Sequence, residues 1–168
     1  MVSPQEFKQA FEAAFLVNRK HLLWNSSSRR TAYMMAYIYR TLADSFPGME
    51  IEYEFENIDA ILYQSSATDR FTDDDVVVAI EHENDGRTIS TELTNFANHK
   101  FPLNVLISYT GNRNEYILRR HSKTLETIYG QMLFILYPEG RLPELHARGE
   151  RIHWDYLLYS DGGLRAIE

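Results

Sequence analysis

Two glutamates close the most apolar run of the chain. Val76 to Asn84 reads VVVAIEHEN, so Glu81 and Glu83 stand one residue apart where a β-branched stretch ends. Side chains alternate faces along a strand, which puts Glu81 and Glu83 on one side and His82 on the other. Taking a carboxylate out of water costs several kcal/mol or more, and two on the same side also repel. A divalent cation between them relieves both terms. The other ways to satisfy them are a strand tip that emerges into water at Glu81, or pairing with arginines. His82, facing away, has the place of a core histidine.

The strand that carries this pair is bounded by Asp73-Asp74-Asp75 and Asn84-Asp85-Gly86. Its continuous apolar character predicts burial on both faces. Before it, Glu50 to Phe55 alternates strictly, with Ile51, Tyr53 and Phe55 against Glu50, Glu52 and Glu54, and predicts a strand with one wet, acidic face. Ile58 to Gln64 (IDAILYQ) predicts a second strand, in which Asp59 interrupts the apolar pattern near the start. The three strands come in sequence and form a meander, with polar Ser65 to Asp75 as a mobile connection. A helix from about Ile89 to His99, started by Ser90 or Thr91 and carrying Leu93, Phe96 and Ala97 inward, ends at Pro102. It leads into a second buried strand, Leu103 to Tyr109 (LNVLISY). Two buried strands joined through one helix should pair in parallel by a right-handed crossover.

At the N-terminus, Ser3-Pro4 with Glu6 is a helix start, and Phe7, Phe11 and Phe15 form a core stripe. Ser26-Ser27-Ser28 caps a second helix to about Phe46, with Tyr33, Met34, Tyr37, Ile38 and Leu42 on one face, stopped by Pro47-Gly48. A helix from Arg113 to about Tyr129, a strand Leu133 to Tyr137, a Pro/Gly loop around Gly140 to Gly149 and a last strand His153 to Tyr159 complete an α/β chain. The expected layout is one domain over 1–168: N-terminal helices over 1–47, core strands and crossover helix over 48–111, and a C-terminal helix and strands over 112–168.

Composition narrows the function. The chain has 168 residues, 44% hydrophobic and 13% aromatic, which fits a single domain with a real core. With no cysteine, disulfides, thiolate metal sites and cysteine nucleophiles are out of reach, and a cytoplasmic setting is expected. The N-terminus lacks the apolar stretch of a signal peptide and no run of residues suits a membrane span. A net charge of −7 argues against a coat for nucleic acid. Arg29-Arg30 and Arg119-Arg120-His121-Ser122-Lys123 are local basic clusters, each more often a solvated helix face than a phosphate site. His99, His121, His146 and His153 show no paired spacing for zinc. GxGxxG, GxxxxGK[ST] and GxSxG are all absent, so dinucleotide, P-loop and α/β-hydrolase chemistries lack their required parts.

The order helix, three strands, crossover helix, buried strand, with an acidic residue on the second strand and an acidic triplet ending the third, resembles the PD-(D/E)xK nuclease superfamily over roughly Thr31 to Tyr109. That resemblance implies a restriction-endonuclease-like αβββαβ core with a mixed central sheet flanked by helices. It places Asp59 and Glu81-His82-Glu83 at the metal-binding positions, Glu83 standing where the family's lysine usually does; some restriction enzymes of the superfamily carry ExE there. Lys100 is the nearby lysine after the triplet that would stand in for it. The three carboxylates suit a hard cation, Mg²⁺ or Mn²⁺, that activates a water and stabilises charge on a scissile phosphate. Glu92, one turn into the crossover helix, is a second-shell or second-metal candidate beside its ordinary reading as a surface or capping residue. The implied activity is Mg²⁺-dependent hydrolysis of DNA or RNA. A homodimer or a partner protein would supply specificity, since no separate recognition domain is visible. The alternative is a nuclease-like fold without chemistry, binding nucleic acid or protein, whose carboxylates form an ionic network. Fold alone does not decide between them.

Overall fold

In the computed structural model, which describes residues 1–21, 26–64, 72–84, 88–109, 114–137 and 153–168 (114–119 by their backbone), one seven-stranded sheet runs in chain order. The strands are β1 (Met49–Phe55), β2 (Ile58–Gln64), β3 (Val76–Glu83), β4 (Leu103–Ser108), β5 (Gln131–Leu136), β6 (Asp155–Ser160) and β7 (Gly163–Ala166). β1, β2 and β3 form the antiparallel meander; β3, β4 and β5 are parallel; β6 and β7 return antiparallel.

β3 and β4 are direct neighbours in parallel register, with Val78 opposite Leu103 and Glu83 opposite Ser108. β4 is buried along its whole length, as its unbroken apolar sequence requires. β1 behaves as its alternation dictates: its burial pattern alternates residue by residue, with Glu50, Glu52 and Glu54 exposed.

Helices cover both faces. On one, Phe7, Phe11 and Phe15 of α1 (Pro4–Asn18) pack with Tyr33, Met34, Ile38 and Leu42 against Ala60, Leu62, Val78, Ile80, Val105 and Ile107. On the other, Ile89, Leu93 and Phe96 of α4 (Ile89–Ala97) and Leu125 of α5 (Asn114–Leu125) pack against Ile61, Ala79, Leu106 and Phe134. Ser3 and Glu6 form the expected capping box of α1.

Several boundaries differ from the expectation. The second helix is not uniform: α2 (Ser27–Tyr33) and α3 (Arg40–Ser45) flank a π-helical stretch, Met34–Tyr39. α4 is capped at Thr88 instead of Ser90 or Thr91, because Thr91 N–H already reaches the Thr88 carbonyl (2.8 Å). α5 stops at Leu125, short of Tyr129, and β5 begins at Gln131. The chain between them turns at Gly130, whose φ of +76° and close approach to the Phe101 carbonyl only glycine tolerates. β7 was not foreseen. Most of the Ser65 to Asp75 connection and the loop around Gly140 to Gly149 lie outside the described residues. No helix among the described residues is long and apolar enough to cross a membrane.

Candidate functional site

The register brings Asp59 and Glu81 face to face. Ala60 pairs with Ile80 and Ile61 with Ala79, so one step further along the antiparallel ladder Asp59 stands opposite Glu81. The two then bond across the gap through backbone as well as side chain. Asp59 N–H donates to Glu81 Oε2 (3.3 Å), and His82 N–H donates to Asp59 Oδ2 (2.9 Å).

The neighbouring β1 departs locally from regular strand geometry. Glu54, opposite Asp59 on its other side, has φ +58°, a left-handed conformation that costs about 1–2 kcal/mol for a residue with a Cβ. Next to it, Glu56 and Asn57 both have positive φ and close the β1–β2 hairpin as a two-residue turn of the primed kind.

Glu92 joins the same group, contrary to its ordinary reading as a surface residue. It is half-buried on the first turns of α4, the helix whose apolar residues press it onto the face that Glu81 and Glu83 occupy. Asn95, one turn further, ties the group together: its amide donates to Glu81 Oε1 (3.2 Å), Glu92 Oε2 (3.2 Å) and the Asn57 carbonyl (3.1 Å). Glu83 accepts from the Thr88 hydroxyl, the cap of α4.

The electrostatics follow from crowding and burial. Glu81 is 2% exposed; desolvation first, then the charges of Asp59 and Glu92, push its carboxyl up to about 9. Glu92 is raised to about 7, by burial and then by Glu83, against the hydrogen bond with Glu81 that works the other way. Asp59 is raised by burial and by Glu83, with the His82 N–H opposing. Among the described residues, Asp59, Glu81 and Glu92 have no ion pair with lysine or arginine.

These carboxylates share a face but do not close on a single point. Asp59 Oδ2 is turned to a backbone N–H and the Glu81 oxygens to Asp59 N–H and Asn95, so their ligand atoms do not form a mutually close set.

Lys100 is a correction. It is exposed on the segment leading to Leu103, and Leu103 stands opposite Val78, five residues back from Glu83. At roughly 3.3 Å per strand residue, that is the far end of β3 from the carboxylates. No described contact joins Lys100 to them.

His82 faces the other way, as alternation requires. Its Nε2 lies 2.7 Å from the Tyr109 hydroxyl, and burial, then the charge of Arg30, push its ring down to about 3, so it is neutral.

A second set escaped the sequence. Glu56, Asp73 and His99 each offer a ligand atom within 4.8 Å of the others. His99 Nδ1 is 3.1 Å from Asp73 Oδ2 and 3.9 Å from Glu56 Oε2, and the ring stacks on Phe101 at 4.8 Å. The three come from separate segments, so no short spacing announces them. The side chains of Glu56 and Asp73 are 63% and 41% exposed, so water satisfies them without an ion.

Comparison with protein-family models, with curated proteins and with solved structures gives no match.

Proposed function

We propose that this protein is a divalent-metal-dependent phosphodiesterase that hydrolyses nucleic acid, with Asp59, Glu81, Glu83 and Glu92 holding Mg²⁺ or Mn²⁺. One observation carries the reading: four carboxylates are gathered at the end of β3, and three of them are held above the usual carboxylate range by burial and mutual repulsion. Oxygen donors of this kind suit a hard cation, which would draw them together from the separate positions they hold without it. When bound, such an ion activates a water and stabilises charge on the scissile phosphate.

The chain's own residues supply the rest. Asn95 orients Glu81 and Glu92 toward each other, while Asp59, bonded to His82 N–H, fixes the two strand ends together. Glu81 is closed off from water, and the half-buried Glu83 and Glu92 line the side from which a phosphodiester approaches. Glu81 and Glu92 would give up the protons they hold on binding such an ion, because their ionised forms are its ligands.

The second reading, a nuclease-like fold that binds without cleaving, is favoured by the placement of Lys100 away from the site. Titration calorimetry with Mg²⁺ and Mn²⁺ separates the two. Saturable binding in the wild type, lost in Glu81→Gln and followed by metal-dependent cleavage of DNA or RNA, is expected. A wild type that binds neither ion ends the metal reading. A homodimer or partner protein that adds specificity belongs to the same proposal.

A further inference from the structure

Arg30 lies at the same end of β3 as the carboxylates, on the opposite face of the sheet. Its Nε donates to Asn84 Oδ1 (2.8 Å), the residue that follows Glu83, and its Nη2 donates to Ser27 Oγ (3.3 Å). Its guanidinium lies over the Tyr109 ring, 4.9 Å from the centroid. Each support is itself held. Asn84 Nδ2 donates to Thr31 Oγ1 (3.0 Å), and the Tyr109 hydroxyl is bonded to His82.

The fork is thus fixed from two sides, and no carboxylate among the described residues pairs with it. Arg30 is half-buried and has no carboxylate within ion-pairing distance among the described residues. Two neutral acceptors and an aromatic face leave most of the five guanidinium donors unused. An ordered, partly desolvated cation without a counter-ion is costly unless an anion completes it. Its planar geometry matches a phosphate in bidentate fashion. Glu81 and Glu83 face the other side of the sheet from His82 and Asn84, so they do not occupy the guanidinium's free donors.

The geometry points to Arg30 as a phosphate-holding residue, which takes a backbone phosphate of the bound nucleic-acid strand next to the one held at the carboxylates. A strand passing over the end of β3 would meet the metal-binding face and then the Arg30 face, so one residue fixes the path of the substrate while the other group acts on it. This rests on the phosphodiesterase reading, and it assigns a role in binding that needs no lysine in the triplet.

The test compares wild type, Arg30→Gln and Arg30→Lys. Binding of a fluorescently labelled single-stranded oligonucleotide in Mg²⁺ is followed by anisotropy across a salt series, and Mg²⁺ alone is titrated by calorimetry. Arg30→Gln should lose about tenfold or more in oligonucleotide affinity, the size of a charge-assisted contact. Its log K against log salt slope should fall by about one. Arg30→Lys should keep the slope and lose part of the affinity, and Mg²⁺ binding should be unchanged in both. Wild-type affinity and slope in Arg30→Gln overturn the inference while leaving the metal reading intact, as does a wild type that takes Mg²⁺ but no oligonucleotide. Should Arg30→Gln not fold, wild-type affinity of Arg30→Lys at every salt concentration overturns it. A wild type that binds no Mg²⁺ fails the earlier reading instead, and this one with it.

Discussion

Glu81 sets the energetics of the site. Its carboxyl, closed off from water and opposite Asp59, is held up at about 9 and Glu92 at about 7, while both titrate near 4.3 in an unfolded chain. The folded state therefore binds these protons more tightly than the unfolded state does. Their contribution to stability is fully present below about pH 4 and is lost as pH rises through 7 and on to 9. Metal-free protein should melt at progressively lower temperature between pH 5 and pH 9, and saturating Mg²⁺ should raise the melting temperature most at the alkaline end. A melting temperature that climbs over that range without metal would contradict the burial assigned to Glu81. Glu81→Gln removes the need to protonate a carboxyl on folding, so its metal-free stability should match wild type below about pH 4, exceed it at pH 7 and exceed it by more at pH 9, and the Mg²⁺ effect should be abolished throughout. Asp59→Asn should behave alike, since an amide oxygen can still accept from His82 N–H.

At the scale of elements, strand facing was legible and helix detail was not. Period-two alternation in β1 and unbroken apolar runs in β3 and β4 each leave a signal that a short strand cannot avoid, because every residue faces one side or the other. The π-helical stretch at Met34–Tyr39 has no such mark: Tyr33 to Tyr39 carries the same apolar composition that a plain α-helix would. Glu92 was legible as a candidate from its place one turn into the crossover helix, but Asn95 was not, since only the tilt of α4 over β3 decides which further helix residues meet the strand end. Asp59 was visible as a break in an apolar strand. The facing can be checked by stability. Ile80→Ala and Leu106→Ala, both at 0% exposure, should each cost about 2–5 kcal/mol in chemical denaturation. Glu52→Ala, on the wet face of β1, should stay within about 0.5 kcal/mol. Gly130→Ala should be more damaging than its size suggests, at over about 1 kcal/mol, because its Cβ would lie 2.4 Å from the Phe101 carbonyl oxygen at a φ of +76°.

Over the whole molecule, charge and proposed substrate stand in tension. A net charge of −7 and an acidic β1 edge repel a polyanion, and proteins that hold nucleic acid through their own surface draw on about 6–10 phosphate contacts with a correspondingly steep salt dependence. Arg30, tied to Asn84 beside Glu83, does not by itself make a comparable basic face. On the proposed reading, a divalent ion would do what basic residues do elsewhere, turning an acidic strand end into a place that a phosphate can approach. Association with a short oligonucleotide should accordingly be undetectable in EDTA even at low salt and should appear on adding Mg²⁺. Its salt slope should reflect about one to three phosphate contacts, well short of a surface binder. Equal binding with and without Mg²⁺, measured by anisotropy at one ionic strength, would mean that nucleic acid is held somewhere other than at Asp59, Glu81, Glu83 and Glu92, and that the carboxylates serve the fold instead of the substrate.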